Sequence, residues 1–281
     1  MTDSDTPRTD PEALTEAILR ARRIVVFTGA GVSTGAGIPD YRGSGGQYSQ
    51  FQPVYYDEFL ARPEKQREYW VHKATVWPAM RAARPGPAHN LCVALADRGT
   101  LTGVITQNVD GLHEKAGLSS ELLVNLHGSN LEVECISCGR RVPAGEILDP
   151  LAEKYRPGRV PPAEDGPAGA GEPAAPLQFS PPRCANCGGL LKPATIMFGQ
   201  SLRTTDLARA ESFLDECDLF LVIGSTLTVQ PAASLPGIAR NAGADLAIIT
   251  RGSTPLDQLA RYRIDGEIDA FCTGLLESRR L

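Results

Sequence analysis

A glycine-rich turn directly after a short apolar run constrains this chain more than any other feature. Residues 27–43 read FTGAGVSTGAGIPDYRG, and the preceding residues 24–27 form a β-branched run typical of a buried parallel strand. Gly29 and Gly31 allow a tight turn and the close approach of an anionic ligand. Because backbone N–H groups in such a turn can bind phosphate, the sequence predicts a phosphate-binding turn after the first strand.

The turn departs from the dinucleotide-binding pattern G-x-G-x-x-G. Thr34 stands at the third glycine position, and no acidic residue follows at the usual distance of about 20 residues. Asp40 comes much earlier, and Arg42 follows it closely. We predict that these charged groups fold back over the bound ligand, an arrangement that a hydride-transfer enzyme does not need.

Composition narrows the class of protein. The 281 residues carry a formal net charge of −5, and 42% of them are hydrophobic, which is enough for a full core. The length indicates one large domain or a domain with a sizeable insertion. The acidic balance argues against nucleic-acid binding, no apolar run has the length of a membrane span, and residues 1–12 do not resemble a targeting peptide. We expect a cytoplasmic monomer that binds neither nucleic acid nor membrane.

Four of the seven cysteines form two CxxC pairs, Cys135 with Cys138 and Cys184 with Cys187, and each pair is followed by glycine. This spacing is typical of tetrahedral thiolate coordination of one Zn²⁺, and a site with four protein ligands is structural. Two redox dithiols are the alternative. The other three cysteines lie in apolar periodic segments and are predicted to be core residues: Cys92, Cys217 and Cys272.

Apolar runs alternate with helical patterns along much of the chain. The predicted strands cover residues 24–28, 102–106, 122–126, 219–223 and 246–250. The predicted helices cover residues 11–22, 89–98, 204–216 and 232–241. This alternation indicates an α/β fold with a doubly wound, parallel, Rossmann-like sheet.

Two stretches interrupt the alternation and are predicted to form a smaller inserted domain. Residues 44–87 are rich in aromatic side chains and are expected to form short helices broken at Pro53, Pro63 and Pro78. Residues 129–195 form the zinc-ribbon part, in which the Pro-, Gly- and Ala-rich residues 157–182 are expected to be a mobile loop. The Rossmann-like domain is assigned to residues 1–43, 88–128 and 196–281.

Polar residues follow several predicted strands, where ligands bind in open α/β sheets. Asn108 and Asp110 follow the second strand, and together they could hold a carboxamide, which needs both a donor and an acceptor. Ser225 and Thr226 follow the fourth strand and could make a second phosphate contact. Loop capping is the alternative for any one of these strand ends.

His127 is the candidate general base among the four histidines. It follows the third predicted strand and precedes a glycine, which places it at the ligand-binding edge of the sheet. The other histidines are predicted to be structural or solvated: His72, His89 and His113.

Taken together, these motifs resemble those of the sirtuins, the NAD-dependent protein deacylases. GAGVSTGAGIPDYR, TQNVDGLHEKAG, LHG, the two CxxC pairs, KPATIMFGQ and GSTLTVQPAASLP follow one another in the family's order over about residues 24–275. RPEKQREYWVHKATVWP, together with PDYR, is similar to the class II branch, which includes mitochondrial sirtuin 4 and many bacterial members. The chain differs from the family at Gln200, where Glu is usual, at Thr250, where Asn is usual, and at Gly43, where Ser is common.

The resemblance implies a protein lysine deacylase that consumes NAD as a co-substrate. The acyl-lysine carbonyl oxygen attacks C1′ of the ribose, and nicotinamide leaves. His127 then acts as base on a ribose hydroxyl, and the products are nicotinamide, deacylated lysine and O-acyl-ADP-ribose. Protein mono-ADP-ribosyl transfer, or NAD sensing with little catalysis, are the alternatives.

The resemblance also implies the residues of each site. Catalysis is assigned to His127 and Asn108, and the acylated-lysine protein is assigned to Ile196, Phe198, Gly199 and Val229. The NAD-binding residues that the resemblance implies are Gly29, Ala30, Gly31, Ser33, Ile38, Pro39, Asp40, Tyr41, Arg42, Gln107, Asn108, Asp110, Gly224, Ser225, Thr226, Thr250, Arg251, Gly252 and Ile268.

Overall fold

The structure is a computed structural model that describes residues 9–40, 52–154, 180–278 and 280–281. The predictions for Tyr41, Arg42 and Gly43, and for the loop at 157–182 apart from its last three residues, lie outside the described residues.

All five predicted strands are present, and the described residues form four further strands. The strands are β1 (Ile24–Thr28), β2 (Leu101–Thr106), β3 (Leu123–Asn125), β4 (Gly128–Cys135), β5 (Arg141–Pro143), β6 (Leu191–Thr195), β7 (Leu219–Ile223), β8 (Asp245–Ile249) and β9 (Tyr262–Ile264). The helices are α1 (Pro11–Arg20), α2 (Tyr56–Ala61), α3 (Pro63–Ala82), α4 (Pro87–Asp97), α5 (Leu112–Lys115), α6 (Ala144–Lys154), α7 (Thr204–Ser212), α8 (Leu235–Asn241) and α9 (Ile268–Glu277).

The chain divides into two compact units. The larger unit contains Met1–Gly46, Ala83–His127 and Leu202–Leu281, and the smaller unit contains Gln47–Ala82 and Gly128–Ser201. Residues 83–87, which the sequence analysis assigned to the inserted domain, therefore belong to the larger unit, and Gly128 and residues 196–201, which it assigned to the Rossmann-like domain, belong to the smaller unit. Residues 196–201 do so because they continue directly from β6 and are held there by a hydrogen bond from the Tyr56 N–H to the Phe198 carbonyl oxygen (2.9 Å).

The larger unit is built on a parallel sheet whose strand order, over the described residues, is β3-β2-β1-β7-β8-β9. Each neighbouring pair in this sheet is parallel. The order runs outward from β1 in one direction and from β7 in the other, so the topological switch point lies between these two strands. The predicted α/β fold with a doubly wound parallel sheet is confirmed.

Both faces of this sheet are covered by helices. Alternate strand residues, such as Val26 and Phe27 of β1, contribute to two separate hydrophobic clusters. The first cluster includes side chains of α1, α4 and α9, and the second includes side chains of α7 and α8. Because β1 has water on neither side, all five of its residues are buried, as expected for a central parallel strand.

The smaller unit combines an antiparallel sheet, ordered β5-β4-β6, with helices α2, α3 and α6. The predicted helix break at Pro78 is wrong, because α3 continues through it. Trp77 and Leu148 share one hydrophobic cluster, and the Trp77 indole N–H donates to Asp149 Oδ1 (2.7 Å). This packing against α6 offsets the backbone hydrogen bond that Pro78 cannot make.

Several predicted helix limits also change. The helix predicted at 204–216 ends at Ser212, and the one predicted at 232–241 is a short 3₁₀ turn followed by α8. Pro236 occupies the first turn of α8, where its missing N–H has no helical partner to lose. No helix in the described ranges combines the length and the apolarity needed to cross a bilayer.

Candidate functional site

The turns after β1 and β7 interlock at the switch point of the larger sheet. The Gly31 N–H donates to the Gly224 carbonyl oxygen (2.9 Å). A Cβ on Gly29 would lie 2.7 Å from that oxygen, and a Cβ on Gly31 would lie 2.8 Å from Gly224 Cα. Gly224 itself has φ of +68°. The glycines predicted from ligand approach are thus also required by the packing of one turn against the other.

A buried polar cluster surrounds this pair of turns. Ser33 donates its hydroxyl hydrogen to Asp110 Oδ2 (2.7 Å), and Asn108 Nδ2 donates to Ser33 Oγ (3.2 Å) and to the Gly29 carbonyl oxygen (3.1 Å). All three side chains are buried. Asp110 Oδ1 accepts from the Leu112 N–H (2.9 Å). The structure therefore brings together the turn of β1 and the polar residues after β2, as their placement at strand ends predicts.

Below this cluster lies a second set of buried polar groups that the sequence analysis did not assign to the site. Thr28 Oγ1 donates to Thr106 Oγ1 (2.8 Å) and lies 2.9 Å from His113 Nε2. Thr106 Oγ1 also accepts from the Asn108 N–H (3.0 Å). His113 is buried, so the solvated alternative for this histidine is wrong. Burial lowers its pKa to about 3 and keeps the ring neutral.

His127 is held by a backbone carbonyl of the neighbouring strand end. Its Nδ1 lies 3.1 Å from the Gln107 carbonyl oxygen. A carbonyl oxygen only accepts, so Nδ1 carries the proton of the neutral ring and Nε2 carries the lone pair. Burial lowers the pKa of His127, against a smaller raising effect of this hydrogen bond. The residue is therefore an unprotonated base at neutral pH.

Gln107 links two strand ends through its side chain. Ser225 donates its hydroxyl hydrogen to Gln107 Oε1 (2.7 Å), and Ser225 Oγ accepts from the Leu227 N–H (3.2 Å). Leu227 is a buried leucine with φ of +53°, a conformation that bulky side chains rarely adopt. Thr226, between them, is exposed.

The edge beyond β8 is organised by a buried arginine. Arg263 pairs with Asp257 (2.9 Å) and donates to the carbonyl oxygens of Thr250 (3.0 Å) and Gly252. Thr250 is buried, whereas Arg251 and Gly252 are exposed. Ile268, predicted to bind NAD, is the first residue of α9 and packs against the hydrophobic cluster of α1 and α4.

The remaining predicted residues differ in their exposure and in the unit to which they belong. Ala30, Ile38 and Asp40 are partly buried, and Pro39 is exposed. Among the peptide-binding candidates, Ile196, Phe198 and Gly199 belong to the smaller unit and Val229 to the larger one. Phe198 is 38% exposed and packs beside Tyr55, with ring centroids 5.9 Å apart.

The four paired cysteines form the predicted metal centre. Their Sγ atoms all lie within 4.8 Å of one another, with Cys135 and Cys187 3.5 Å apart and Cys138 and Cys184 3.8 Å apart. Tetrahedral coordination with Zn–S bonds near 2.3 Å requires sulfur separations of about 3.8 Å. The four sulfur atoms thus fit one structural zinc ion.

The glycines after each pair shape this centre. Gly139 and Gly188 both have φ of +72°, and their N–H groups donate to the carbonyl oxygens of Cys135 and Cys184. A Cβ on Gly189 would lie 2.5 Å from Ser137 Oγ. The lone cysteines are core residues, as predicted: Cys92, Cys217 and Cys272.

The fold and the site define a doubly wound α/β domain that carries a buried polar cluster at the carboxyl edge of its sheet, with a smaller unit that holds a four-cysteine centre. A model of the Sir2 family matches residues 29–231. The NAD-dependent protein deacetylase of Rhodopseudomonas palustris is 37% identical over 258 residues, which cover 92% of this chain and 92% of that protein. The NAD-dependent protein deacetylase 1 of Streptomyces coelicolor is 40% identical over 250 residues, which cover 88% of this chain and 82% of that protein. The chain belongs to the Sir2 family, the sirtuins.

A solved structure supports the same assignment across the whole chain. A Sir2 protein described with a deacetylated p53 peptide and 3′-O-acetyl ADP-ribose has a TM-score of 0.79 and 27% identity to this chain. The match covers 97% of this chain and 100% of that one. Membership of the class II branch stays a prediction.

Sequence reasoning missed two groups of buried polar residues at the site. Thr28 and Thr106 are each the last residue of a strand, in positions where an apolar residue would continue the pattern. Asp257 and Arg263 lie in a segment that carries no motif. A polar residue ending an otherwise apolar strand was the available signal for the first group, and only the tertiary structure reveals the second.

Proposed function

We propose that this protein is an NAD-dependent lysine deacylase that releases nicotinamide and deacylated lysine and transfers the acyl group to ADP-ribose. The observation that best supports this proposal is the state of His127 at the carboxyl edge of the larger sheet. Its ring is neutral, and its Nδ1 proton is held by the Gln107 carbonyl oxygen. The names of the two curated relatives, and the acetyl ADP-ribose described with the solved Sir2 structure, support the same reaction.

We assign NAD to the carboxyl edge of the larger sheet. The interlocked turns and Ser33 fit the pyrophosphate, with Ser225 and Thr226 on the β7 side, because the glycines and small side chains of both turns let an anionic ligand approach the backbone closely. Ile38, Asn108 and Asp110 fit the nicotinamide end, since the buried amide and carboxylate can match a carboxamide. NAD supplies the electrophilic ribose carbon when it is bound.

The proposed role of His127 is to take a proton from a ribose hydroxyl at Nε2. The Gln107 carbonyl fixes the ring orientation and the tautomer, and burial keeps the ring unprotonated. A positioned base of this kind contributes about 10²–10⁴-fold to the rate. Gln107 then has two roles, since its side chain also binds Ser225 and is assigned to the ribose.

We assign the acylated peptide to Ile196, Phe198, Gly199 and Val229. The position of Phe198 supports this role, because its exposed ring lies beside the exposed ring of Tyr55, and adjacent exposed apolar side chains are typical of binding surfaces. We further propose that the protein acts as a monomer in the cytoplasm, without nucleic-acid or membrane partners, which the net charge of −5 and the unpaired lone cysteines support.

An acyl-peptide panel tests the proposal. Purified protein is incubated with NAD and lysine peptides that carry short and long acyl groups, and nicotinamide and peptide products are measured together. We expect nicotinamide release that depends on acyl peptide and matches the deacylated peptide one to one. His127→Asn should remove turnover, whereas His72→Gln, a matched histidine change on α3, should not.

Two results would contradict the proposed deacylase activity. Absence of acyl-dependent nicotinamide release across the whole panel overturns the deacylase proposal. Transfer of label from NAD to a protein, without deacylation, would replace it with mono-ADP-ribosyl transfer.

A further inference from the structure

We propose that His113, Thr28 and Thr106 form a positioning chain that holds Asn108 in the geometry required to bind the nicotinamide carboxamide. The inference rests on the proposed function, which assigns Asn108 to the nicotinamide end of NAD. The three residues belong to the larger unit, and each has at most 2% of its surface exposed. They are positioning residues, because none of them is assigned a contact with the substrate.

The direction of the chain follows from its hydrogen bonds. Thr28 gives its only hydroxyl hydrogen to Thr106, so its contact with His113 Nε2 must be one in which the ring nitrogen donates. His113 is therefore the neutral Nε2–H tautomer. Its Nδ1 has a lone pair and no hydrogen-bond partner among the residues that the structure describes. This ring is a fixed donor to Thr28 and not a proton carrier.

The chain ends on the backbone of Asn108. Thr106 Oγ1 accepts from the Asn108 N–H (3.0 Å), and this contact fixes the start of the segment that follows β2. The Asn108 side chain then donates to Gly29 and Ser33. His113 thus acts on the amide of Asn108 through two hydroxyl groups, one at the end of β1 and one at the end of β2.

The neighbouring ring explains why His113 keeps one orientation. The centroids of the His89 and His113 rings are 4.8 Å apart, at an interplanar angle of 59°. His89 Nδ1 accepts from the Gly86 N–H (3.1 Å), so His89 is also anchored. Within the described part of the chain, His89 and His113 each bury one ring nitrogen without a hydrogen-bond partner. An unsatisfied buried polar atom costs free energy, and such a cost is expected where the geometry serves a function.

Measurements of ligand binding in the absence of turnover distinguish the positioning of Asn108 from a general contribution to stability. NAD carries nicotinamide and ADP-ribose does not, so a defect in the orientation of Asn108 should weaken binding of NAD and spare ADP-ribose. We expect Thr106→Val and Thr28→Val to raise the Kd of NAD by about 5- to 30-fold, the effect of one or two kcal/mol. Thr106→Ser and Thr28→Ser, which keep the hydroxyl, should restore wild-type affinity.

A control and a second pair of variants keep the test decisive. Thr15→Val, a matched change of a buried threonine on α1, should change neither the Kd of NAD nor the Kd of ADP-ribose. Should the valine variants fail to fold, His113→Phe and His113→Gln carry the same comparison, because glutamine keeps a donor near Nε2 and phenylalanine does not. Equal weakening of NAD and ADP-ribose, or unchanged NAD binding, overturns the positioning role. Neither result depends on deacylation, so failure of the proposed function is seen separately in the peptide panel.

Discussion

His127 Nδ1 lies 3.1 Å from the carbonyl oxygen of Gln107, and this contact leaves Nε2 as the basic atom of the ring. A side-chain acceptor could be lost by mutation, whereas a main-chain carbonyl at the end of β2 cannot. The hydrogen-bond partner of the base is therefore part of the sheet itself, and its position depends on the pairing of β2 with β1 and β3.

The pH dependence of the reaction follows from the pKa of His127. Burial moves this pKa below the ordinary value of 6.5, so the base is unprotonated at neutral pH and becomes protonated only on acidification. We expect kcat/KM for acyl peptide to be flat near neutral pH and to fall by about tenfold per pH unit below the pKa. Nicotinamide release measured from about pH 5 to about pH 8 checks this, with circular dichroism to confirm folding. An acidic limb centred above 6.5 would contradict it.

The interlocked turns predict opposite results for two glycine substitutions. Gly29→Ala would place a Cβ 2.7 Å from the Gly224 carbonyl oxygen, so the turns must separate and NAD binding should fall at least about tenfold. Gly237→Ala, in α8, meets nothing within 4 Å and should stabilise the protein by up to about 1 kcal/mol. Calorimetric titration with NAD and thermal unfolding provide the two measurements. Tight NAD binding by Gly29→Ala would show that the turns are not in contact in solution.

The Asp257–Arg263 pair predicts a large loss of stability from one substitution. The side chains are only 6% and 1% exposed, so Asp257→Ala leaves a buried guanidinium without its carboxylate. We expect a decrease of about 3–5 kcal/mol in the free energy of unfolding. Asp245→Ala breaks the exposed pair with Arg261, also 2.9 Å long, and should cost no more than about 1 kcal/mol. Urea denaturation compares the stability of the two variants. Similar decreases in the free energy of unfolding would contradict the burial of the Asp257–Arg263 pair.

The cysteine centre predicts that metal and folding are linked. Cys184→Ser should reduce the bound zinc from about one ion per chain to near zero and unfold the smaller unit, because a structural zinc contributes its binding energy to folding. Cys217→Ser, a core cysteine outside the centre, should keep the metal. Elemental analysis together with limited proteolysis measures both effects. A zinc-free Cys184→Ser protein that resists proteolysis would argue against a structural role.

The strands of the larger sheet were predictable because their apolar runs are short and continuous. Residues 24–28 and 219–223 match β1 and β7, since a strand buried on both faces leaves little ambiguity. The antiparallel strands β4 and β6 were not predicted, because polar and charged residues such as Glu134 and Lys192 interrupt their apolar pattern. Lys192 is buried and binds Glu134 (2.8 Å), a pairing that no local pattern indicates.

The residues of the candidate site were also only partly predictable from the sequence. Asn108, Asp110 and His127 could be found from their places after apolar runs, because strand ends meet at one edge of a parallel sheet. His113 could not, since a histidine in a short helix gives no sign of whether it faces water or a buried hydroxyl. Arg263 was missed for a related reason, because its pairing with Asp257 and its bonds to the carbonyl oxygens of Thr250 and Gly252 are set by the folding of the chain and give no local pattern.

The order in which the chain is synthesised gives the contact between Gly31 and Gly224 a further meaning. These residues are about two hundred positions apart, so β1 leaves the ribosome long before β7 exists. Until β7 has been synthesised, β1 can pair only with β2, and its other edge can form hydrogen bonds with a strand of another chain. The contact between the turns after β1 and β7 is thus completed late in biosynthesis, and a nascent chain that stalls before residue 219 presents an unpaired apolar edge for chaperones to shield.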